Sequence, residues 1–350
     1  MKILHTSDLH IGHTFFTIER LDEHKRLFEW LKKTIELENI DVLIVSGDIF
    51  DTYYPSAAAL KLYYDFLHSI KNLVKKVVIT GGNHDSPKTL MAPGSILKEL
   101  DIEVVSGADG DCVRVVEFED FRIVAVSYLR EGILARWGDD YVAAIKEIYS
   151  RHLGDKPSMA MAHFTVYGSR CGESEREIYV GSVEGVPSHV FDGYGYVALG
   201  HIHRPQEVAE GIVYSGSPLQ MGFDEDYGKK AVIIESGDFS YRFIDIPKFR
   251  DFIRIKGSYE EVSKRIGELR PKSFVEIELN EFVDSTALDR LRRDDLHIVK
   301  TVLPFTQISC EGIEVDRVTP VALVKEIFKD DEDIEELVRV VKRLGAEDED

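Results

Sequence analysis

The sequence predicts an α/β protein: a β-sandwich with helices outside it, followed by a small α/β domain and C-terminal helices. Three observations support this fold class. Strand-like and helical patterns alternate over the first 80 residues, many short strand-like runs follow residue 100, and alternation resumes on a smaller scale after Pro247. Alternation is typical of α/β folds, whereas closely spaced strands are typical of sandwiches.

The first part of the chain has three strand-like runs, at 2–7, 41–46 and 76–80. Two helical segments, at about 18–38 and 56–73, separate them. The apolar residues at helical spacing are Leu27, Trp30, Leu31 and Ile35 in the first segment, and Leu60, Tyr63, Tyr64 and Leu67 in the second. Strand–helix–strand connections favour right-handed crossovers, so we expect these strands in one α/β core.

Strand-like runs dominate the stretch from residue 100 to Pro247. Two of them, 112–117 and 121–126, predict a hairpin. The others are 158–162, 194–199, 206–209, 212–214, 230–235 and 241–246. Because few helices separate these runs, we expect mainly antiparallel pairing and a sandwich that ends near Pro247.

These patterns divide the chain into four parts: 1–247, 248–303, 304–319 and 320–350. In the second part the expected elements are strands at 252–256, 273–279 and 296–302 and helices at 258–268 and 285–291. The third part lacks periodicity and predicts a linker. The last part predicts two short helices within 320–344, with Pro320 in a favourable first-turn position, and then an acidic tail.

The composition is typical of a globular protein, with 44% hydrophobic and 30% charged residues. No run approaches the ~20 apolar residues that cross a bilayer, and the N-terminus lacks the features of a secretion signal. We therefore expect a cytoplasmic protein without a membrane partner. Cys112, Cys171 and Cys310 are far apart, which predicts reduced thiols rather than disulfides or a cysteine-bound metal.

The net charge of −20 argues against general binding to nucleic acid, because phosphate contacts need lysine and arginine. The charge is uneven, however. Acidic residues fill 330–333 and 347–350, whereas 75–76 and 229–230 are lysine pairs. Metal ions would also reverse the local sign of an acidic site, so net charge does not decide the substrate.

Five polar motifs each follow an apolar strand-like run. They are Asp8-Leu9-His10, Gly47-Asp48-Ile49-Phe50-Asp51, Gly82-Asn83-His84-Asp85, Ala162-His163-Phe164 and Gly200-His201-Ile202-His203. In an α/β fold the loops beyond the strand carboxyl ends gather at one edge, where sites form. We therefore expect these loops to converge on one site.

The residue types in these motifs suit a divalent transition metal, since carboxylates and imidazoles bind Mn²⁺, Fe²⁺ or Zn²⁺. In the Asp-x-His and His-x-His motifs, the two polar side chains share one face of an extended segment. Gly47, Gly82 and Gly200 precede ligands and permit close backbone approach. Each motif alone has an ordinary explanation, such as a turn or a hydrogen-bonded histidine. The complete set, with each member at a strand end, predicts a metal site.

The motif set resembles the calcineurin-like metallophosphoesterase superfamily, and within it the SbcD type of DNA double-strand-break repair nuclease subunits. The stretches that carry the resemblance are 6–12, 47–51, 174–176 with 180–181, 198–206 and 214–220. It covers nearly the whole chain, most strongly 1–245. It implies a four-layer sandwich, a nuclease domain at 1–247, and a domain at 248–303 that caps the site and touches DNA.

The resemblance also implies a role for each motif residue. One divalent metal would be held by Asp8, His10, Asp48 and His203, and the other by Asp48, Asn83, His163 and His201. Asp48 would bridge two ions, expected to be manganese; such a pair can clamp both oxygens of an in-line displacement. His84 would be the general acid, oriented by Asp85. Related nucleases can carry a second histidine where this chain has Asp51, so a second imidazole contact to the phosphate is in doubt.

Two partner surfaces follow from the same resemblance. Helices 18–38 and 56–73 would form a homodimer bundle, although packing on the sandwich explains their apolar faces equally well. The helices within 320–344, tethered by the linker, would grip the coiled-coil base of an SbcC-type, SMC-like ATPase. The alternative for these helices is a solvated cap.

The leading hypothesis is a Mn²⁺-dependent DNA nuclease, a 3′–5′ exonuclease and an endonuclease, that acts on double-stranded ends and hairpins with this ATPase. One alternative is a phosphodiesterase or phosphomonoesterase for small molecules, against which the additional domain and tail argue. Another is a non-catalytic scaffold. A scaffold would have broken ligand motifs, whereas all seven ligands and His84 are present.

Overall fold

The computed structural model of the chain describes residues 1–92, 94–130, 137–138, 140–172 and 185–303. Residues Met1–Val302 form one structural unit, and Leu303–Asp350 form a second. The linker expected at 304–319, the helices expected within 320–344, and the stretches 174–176 and 180–181 lie outside the described residues.

Strands and helices alternate along most of the described chain. The strands are β1 (Lys2–Thr6), β2 (Thr14–Phe15), β3 (Ile18–Glu19), β4 (Val42–Ser46), β5 (Lys76–Thr80), β6 (Ile102–Val105), β7 (Val113–Glu117), β8 (Arg122–Val126), β9 (Ser158–His163), β10 (Tyr196–Gly200), β11 (Gln206–Ala209), β12 (Ile212–Tyr214), β13 (Lys230–Glu235), β14 (Tyr241–Asp245), β15 (Phe252–Gly257), β16 (Phe274–Leu279) and β17 (His297–Val302). The helices are α1 (Leu21–Glu38), α2 (Ala57–Ile70), α3 (Pro87–Met91), α4 (Gly94–Glu99), α5 (Tyr141–His152), α6 (Tyr259–Gly267) and α7 (Ser285–Leu291).

The first sheet has the strand order β14-β13-β1-β4-β5-β6. Strands β1, β4, β5 and β6 are parallel, and β13 and β14 add an antiparallel edge. Helices α1 and α2 connect consecutive parallel strands, which confirms the predicted α/β core. Helix α1 begins later than the sequence predicts, because β2 and β3 pair as a two-stranded ribbon before it.

The second sheet has the strand order β11-β12-β10-β9-β8-β7. The β7–β8 hairpin is confirmed, but the expectation of mainly antiparallel pairing is wrong, since β8, β9, β10 and β12 are parallel. The sequence prediction omitted α5, which carries the chain from the end of β8 back to the start of β9. Such a crossover makes the two strands parallel.

The two sheets pack face to face with helices on both outer surfaces, which confirms the four-layer sandwich. Alternate residues of each strand face opposite layers. In β4, Val42 and Ile44 pack against the second sheet, whereas Leu43 and Val45 pack against the helices. In the outer layer the ring of Phe28 in α1 stacks on that of Phe66 in α2 at 4.3 Å.

A small parallel sheet, β15-β16-β17, follows the sandwich, with α6 and α7 between its strands. This agrees with the expected strand–helix–strand–helix–strand order. Arg20, buried before α1, donates to Glu23 at 2.7 Å and lies 5.3 Å from the ring centre of Phe252. Arg250 Nε is 2.7 Å from the same Glu23 carboxylate. This ion cluster fixes the small sheet to the start of α1.

Two further sequence expectations concern the membrane and the thiols. Among the helices in the described part of the chain, none is both long and apolar enough for a membrane crossing. Cys112 and Cys171 form no disulfide within that part, and Cys310 lies outside it.

Replacing Leu43 with alanine tests the packing between the first sheet and its helices. Leu43 is fully buried, so Leu43→Ala should lower the free energy of unfolding by about 2–5 kcal/mol through lost burial and a residual cavity. The matched control, Leu37→Ala in α1, removes a side chain that is 70% exposed and should change it by less than about 0.5 kcal/mol. Denaturant titrations of both variants give the comparison, and equal losses would contradict this packing.

Candidate metal centre

The seven predicted ligands lie on loops at the carboxyl ends of five strands, β1, β4 and β5 of the first sheet and β9 and β10 of the second. Backbone hydrogen bonds join these loops. The Asp8 amide donates to the Gly47 carbonyl at 3.0 Å, and the His10 amide donates to the Asp48 carbonyl at 3.0 Å. The structure therefore brings all five motifs to one edge shared by both sheets.

Four of the predicted ligands adopt left-handed backbone conformations. Their φ angles are +51° for Asp8, +44° for His10, +49° for Asp48 and +92° for His201. The Asp-x-His segment is therefore not extended, contrary to the sequence expectation. Each such residue costs on the order of 1–3 kcal/mol and persists only where surrounding contacts hold it, which is typical of functional sites.

Three glycines are required by close contacts within the site. A Cβ atom would lie 2.0 Å from His163 Nδ1 at Gly47, 2.1 Å from Asp48 Oδ1 at Gly82, and 1.8 Å from the Ser46 carbonyl oxygen at Gly200. These distances are far below a van der Waals contact. The expected close backbone approach at these glycines is confirmed.

One group of donor atoms comprises Asp48, Asn83, His163 and His201. His163 Nε2 lies 3.0 Å from Asn83 Oδ1 and 3.2 Å from Asp48 Oδ2. His201 Nδ1 lies 3.1 Å from the same Asn83 oxygen. Ligands that surround one ion at about 2.0–2.2 Å are roughly 3 Å apart, so each of these three separations has the size expected between ligands of one cation.

A second group comprises Asp8, His10 and His203, whose donor atoms lie within 4.8 Å of one another. His10 Nε2 is 3.8 Å from Asp48 Oδ2, so Asp48 borders both groups. His10 is 4% exposed, and this nitrogen makes no hydrogen bond with any described residue. A buried polar atom without a partner is uncommon, and metal ligation would satisfy it.

A buried ion pair between Asp48 and His163 dominates the electrostatics of the first group, and a cation bound there would have to displace the His163 proton, because an imidazole ligand is neutral. Burial by itself would lower the pKa of His163, but the Asp48 and Asp8 carboxylates raise it to about 9. Burial would raise the pKa of Asp48, yet His163 and the neighbouring imidazoles hold it well below its usual range. The bordering carboxylate therefore stays ionised, as a metal ligand must be.

His84 and Asp85 do not interact as the sequence predicts. His84 Nδ1 donates to the Asp51 carbonyl at 2.8 Å. The Asp85 carboxylate instead accepts three backbone N–H groups, from Ile49, Phe50 and Gly82, at 2.8–3.0 Å. The expectation that Asp85 orients His84 is therefore wrong, because both carboxylate oxygens are used to hold the two loops together.

Asp51, where related nucleases can carry a second histidine, lies next to a predicted ligand. Its Oδ1 atom lies 3.3 Å from His10 Nδ1. A carboxylate on the distal nitrogen fixes the orientation of an imidazole and raises its basicity as a ligand. In this structure the Asp51 carboxylate lies beside His10, whose Nδ1 atom makes no hydrogen bond with any described residue.

Glu225 is a site residue that the sequence analysis missed. Its Oε1 atom accepts a hydrogen bond from His203 Nδ1 at 2.8 Å, so Nε2 is the nitrogen that can bind a metal. Its Oε2 atom accepts from Lys229 Nζ and the Met221 amide, both at 2.7 Å. Burial would raise the pKa of Glu225, but Lys229 and His203 lower it far below its usual range.

No sequence signal identified Glu225, since it stands among other acidic residues in a turn-rich stretch. Both Glu225 and Lys229 are buried, with exposures of 1% and 9%. A buried carboxylate needs such a partner. The pair therefore forms a fixed, charged support behind His203.

The part of the chain that builds this site is similar to known proteins. The sequence profile described as calcineurin-like phosphoesterase matches residues 1–205. The SbcD subunit of the nuclease SbcCD from Escherichia coli strain K12 is 30% identical over 301 residues, which are 78% of this chain and 75% of that protein. The Rhodobacter capsulatus protein of the same name is 32% identical over 73% of this chain and 71% of its own. The solved structure of TT1561 from Thermus thermophilus covers 70% of this chain and 99% of its own, with 14% identity and a TM-score of 0.43.

Glu225→Gln tests the support behind His203. The change keeps the size of the side chain but removes its charge, so the imidazole loses its preferred tautomer and orientation. Divalent-metal affinity should fall roughly 10- to 100-fold, as measured by isothermal titration calorimetry with Mn²⁺.

Two controls separate positioning from general destabilisation. Glu235→Gln makes the same change at an exposed strand end and should leave the affinity unchanged. Glu225→Gln combined with Lys229→Met removes both buried charges and should still bind Mn²⁺ weakly. Wild-type affinity in that double variant would show that Glu225 only neutralises Lys229.

Proposed function

The chain belongs to the calcineurin-like phosphoesterase family, and from this premise we propose that it is a metal-dependent nuclease of the SbcD type. The observation that carries the proposal is the pair of donor groups that share Asp48 at the common edge of the two sheets. Similarity to nuclease subunits over 78% of the chain supports DNA as the substrate.

We propose that the two donor groups hold two divalent cations. Asp8, His10, Asp48 and His203 would bind one, and Asp48, Asn83, His163 and His201 the other. Imidazole, carboxylate and amide oxygen donors together suit Mn²⁺, the proposed metal. When bound, two such cations neutralise charge on a phosphodiester and acidify a water molecule.

His84 is proposed to protonate the leaving oxygen. Its Nδ1–H donates to the Asp51 carbonyl, so Nε2 is the atom that gains and loses the proton. Its backbone amide donates to Asp48 Oδ1 at 3.0 Å, which fixes the imidazole beside the donor groups. An imidazole that can carry a proton on this nitrogen can serve as a general acid.

Double-stranded ends and hairpins are the proposed substrates, cut by exonuclease action from 3′ to 5′ and by endonuclease action. The small sheet β15-β16-β17 is proposed to cap the site and touch DNA. An SbcC-type, SMC-like ATPase is the proposed partner of the helices within 320–344. The names of the similar proteins, which are components of SbcCD, support this assembly. The cytoplasm is the proposed location.

Homodimer formation through α1 and α2 remains part of the proposal. Most of the apolar face of these helices packs on the first sheet, as Leu27, Leu31 and Leu67 do. Several half-buried apolar residues lie at the surface of these two helices and would provide the contact between the two copies. These residues are Trp30, Leu60, Leu62 and Tyr64.

The substrate proposal predicts Mn²⁺-dependent cleavage of DNA. The full chain, alone and with an SbcC-type ATPase, is assayed on linear duplex, hairpin DNA and a small phosphodiester with each divalent metal. Cleavage of both DNAs with Mn²⁺, abolished by chelation, is the expected result. Turnover of small phosphate esters without any DNA cleavage would favour the small-molecule alternative, and no turnover of any substrate would favour a scaffold.

The general-acid assignment predicts a separation of binding from catalysis. His84→Ser should retain Mn²⁺ binding and lower the cleavage rate by about 10²- to 10⁴-fold, because only the proton donor is lost. The matched control is His189→Ser, which alters an exposed histidine outside the site and should cleave normally. Single-turnover rates and calorimetric metal affinities give both readouts, and undiminished cleavage by His84→Ser would refute the assignment.

A further inference from the structure

One region of the sandwich differs from the rest in whether its arginines form ion pairs with carboxylates. The chain has a net charge of −20, and most arginines within residues 1–251 pair with a carboxylate. Among the described residues of that range, Arg130, Arg170 and Arg204 are the arginines without such an ion pair. All three stand near the candidate metal centre in the chain or in space. Arg130 donates to the Asp85 carbonyl at 3.1 Å, which accounts for its position.

Arg170 and Arg204 line a groove next to two metal-ligand loops. Arg204 directly follows His203, and the Arg170 loop continues from His163 at the end of β9. The groove has a volume of about 620 Å³. It is lined by residues 165–171 together with Gly185 and Arg204.

The Gln206 side chain hydrogen-bonds to the backbone of both arginines. Its Oε1 atom accepts the Arg170 amide at 2.8 Å. Its amide nitrogen donates to the carbonyls of both Arg170 and Arg204, at 2.9 and 3.2 Å. One side chain thus ties together the backbones of the two loops that carry Arg170 and Arg204 at the groove.

One aromatic ring contacts Arg204, and another lines the groove. The Arg204 guanidinium carbon lies 4.7 Å from the ring centre of Tyr227. Tyr167, on the groove wall, is 52% exposed. Arginines combined with exposed aromatic rings are typical of surfaces that bind a nucleic-acid strand, because the charges meet phosphates and the rings meet bases.

We propose that Arg170 and Arg204 form a phosphate-binding track along which a nucleic-acid strand reaches the metal centre. The proposal rests on the proposed nuclease function and adds the surface by which the substrate is held. A guanidinium can donate two parallel hydrogen bonds to a phosphate, and here no described carboxylate competes for it. Two arginines without a described carboxylate partner thus stand at the groove, in a chain whose overall charge repels nucleic acid.

The track predicts a charge-dependent loss of DNA affinity. Arg170→Ala and Arg204→Ala are compared with the wild-type full chain by fluorescence anisotropy of a labelled DNA strand, in EDTA, from about 50 to about 200 mM salt, a range that resolves the counterion slope. Each variant should bind roughly fivefold to tenfold more weakly, and the slope of log affinity against log salt should shrink by about one.

Two matched variants make the test specific. Arg204→Lys keeps the charge and should retain the wild-type salt slope. Arg151→Ala removes an arginine near the end of α5 that pairs with Glu147. Helix α5 leads into the start of β9, which is the end of that strand away from the metal-ligand loops. The DNA affinity and the salt slope of Arg151→Ala should equal those of the wild type.

The outcomes separate this proposal from the proposed function. A wild-type chain that neither binds nor cleaves DNA would overturn both. Normal DNA cleavage by the wild type, with unchanged affinity and slope in both alanine variants, would overturn the track alone. Equal proportional losses of DNA cleavage and of small-phosphodiester turnover in Arg204→Ala would also overturn it, since the groove would then serve the scissile phosphate itself.

Discussion

The candidate site depends on one contact between the two sheets, at the carboxyl end of β4. Ser46 accepts a hydrogen bond from His163 Nδ1 at 2.9 Å through its carbonyl and donates its hydroxyl to the Ala198 carbonyl at 3.1 Å. Gly200 lies directly against the same Ser46 carbonyl. Because ligands from the first sheet must meet those from the second, any wider separation of the sheets would pull the two donor groups apart.

Three of the predicted imidazole groups share one structural principle, in which an acceptor behind the ring holds one nitrogen and leaves the other available to the site. The acceptor is the Ser46 carbonyl for His163, the Glu225 carboxylate for His203 and the Asp51 carbonyl for His84. Such acceptors fix the tautomer and the ring orientation. These three rings are therefore held by their surroundings before any metal or substrate arrives.

The charge distribution explains how a strongly acidic chain is suited to an anionic substrate. Acidic side chains neutralise most arginines of the sandwich, and the ionised carboxylates of the site would be offset by divalent cations. Arg170 and Arg204 lack such neutralisation within the described part of the chain. Net charge is therefore a poor guide to the electrostatic potential at the place where the substrate would lie, because local ion pairing decides which charges remain available.

The sequence by itself determined the α/β class and the residues that converge on the site, whereas the four layers followed from its resemblance to a known family. It did so because apolar periodicity marks strands, and parallel strands bring their carboxyl ends to one edge. Only the tertiary structure decided the direction of β9 and β10, the partners of His84, Asp85 and His203, and the left-handed turns at the ligands. Strand direction depends on the path of the connection, and Glu225 meets His203 across 22 residues of chain. No local pattern encodes such pairings, because they arise only when separate loops pack against one another.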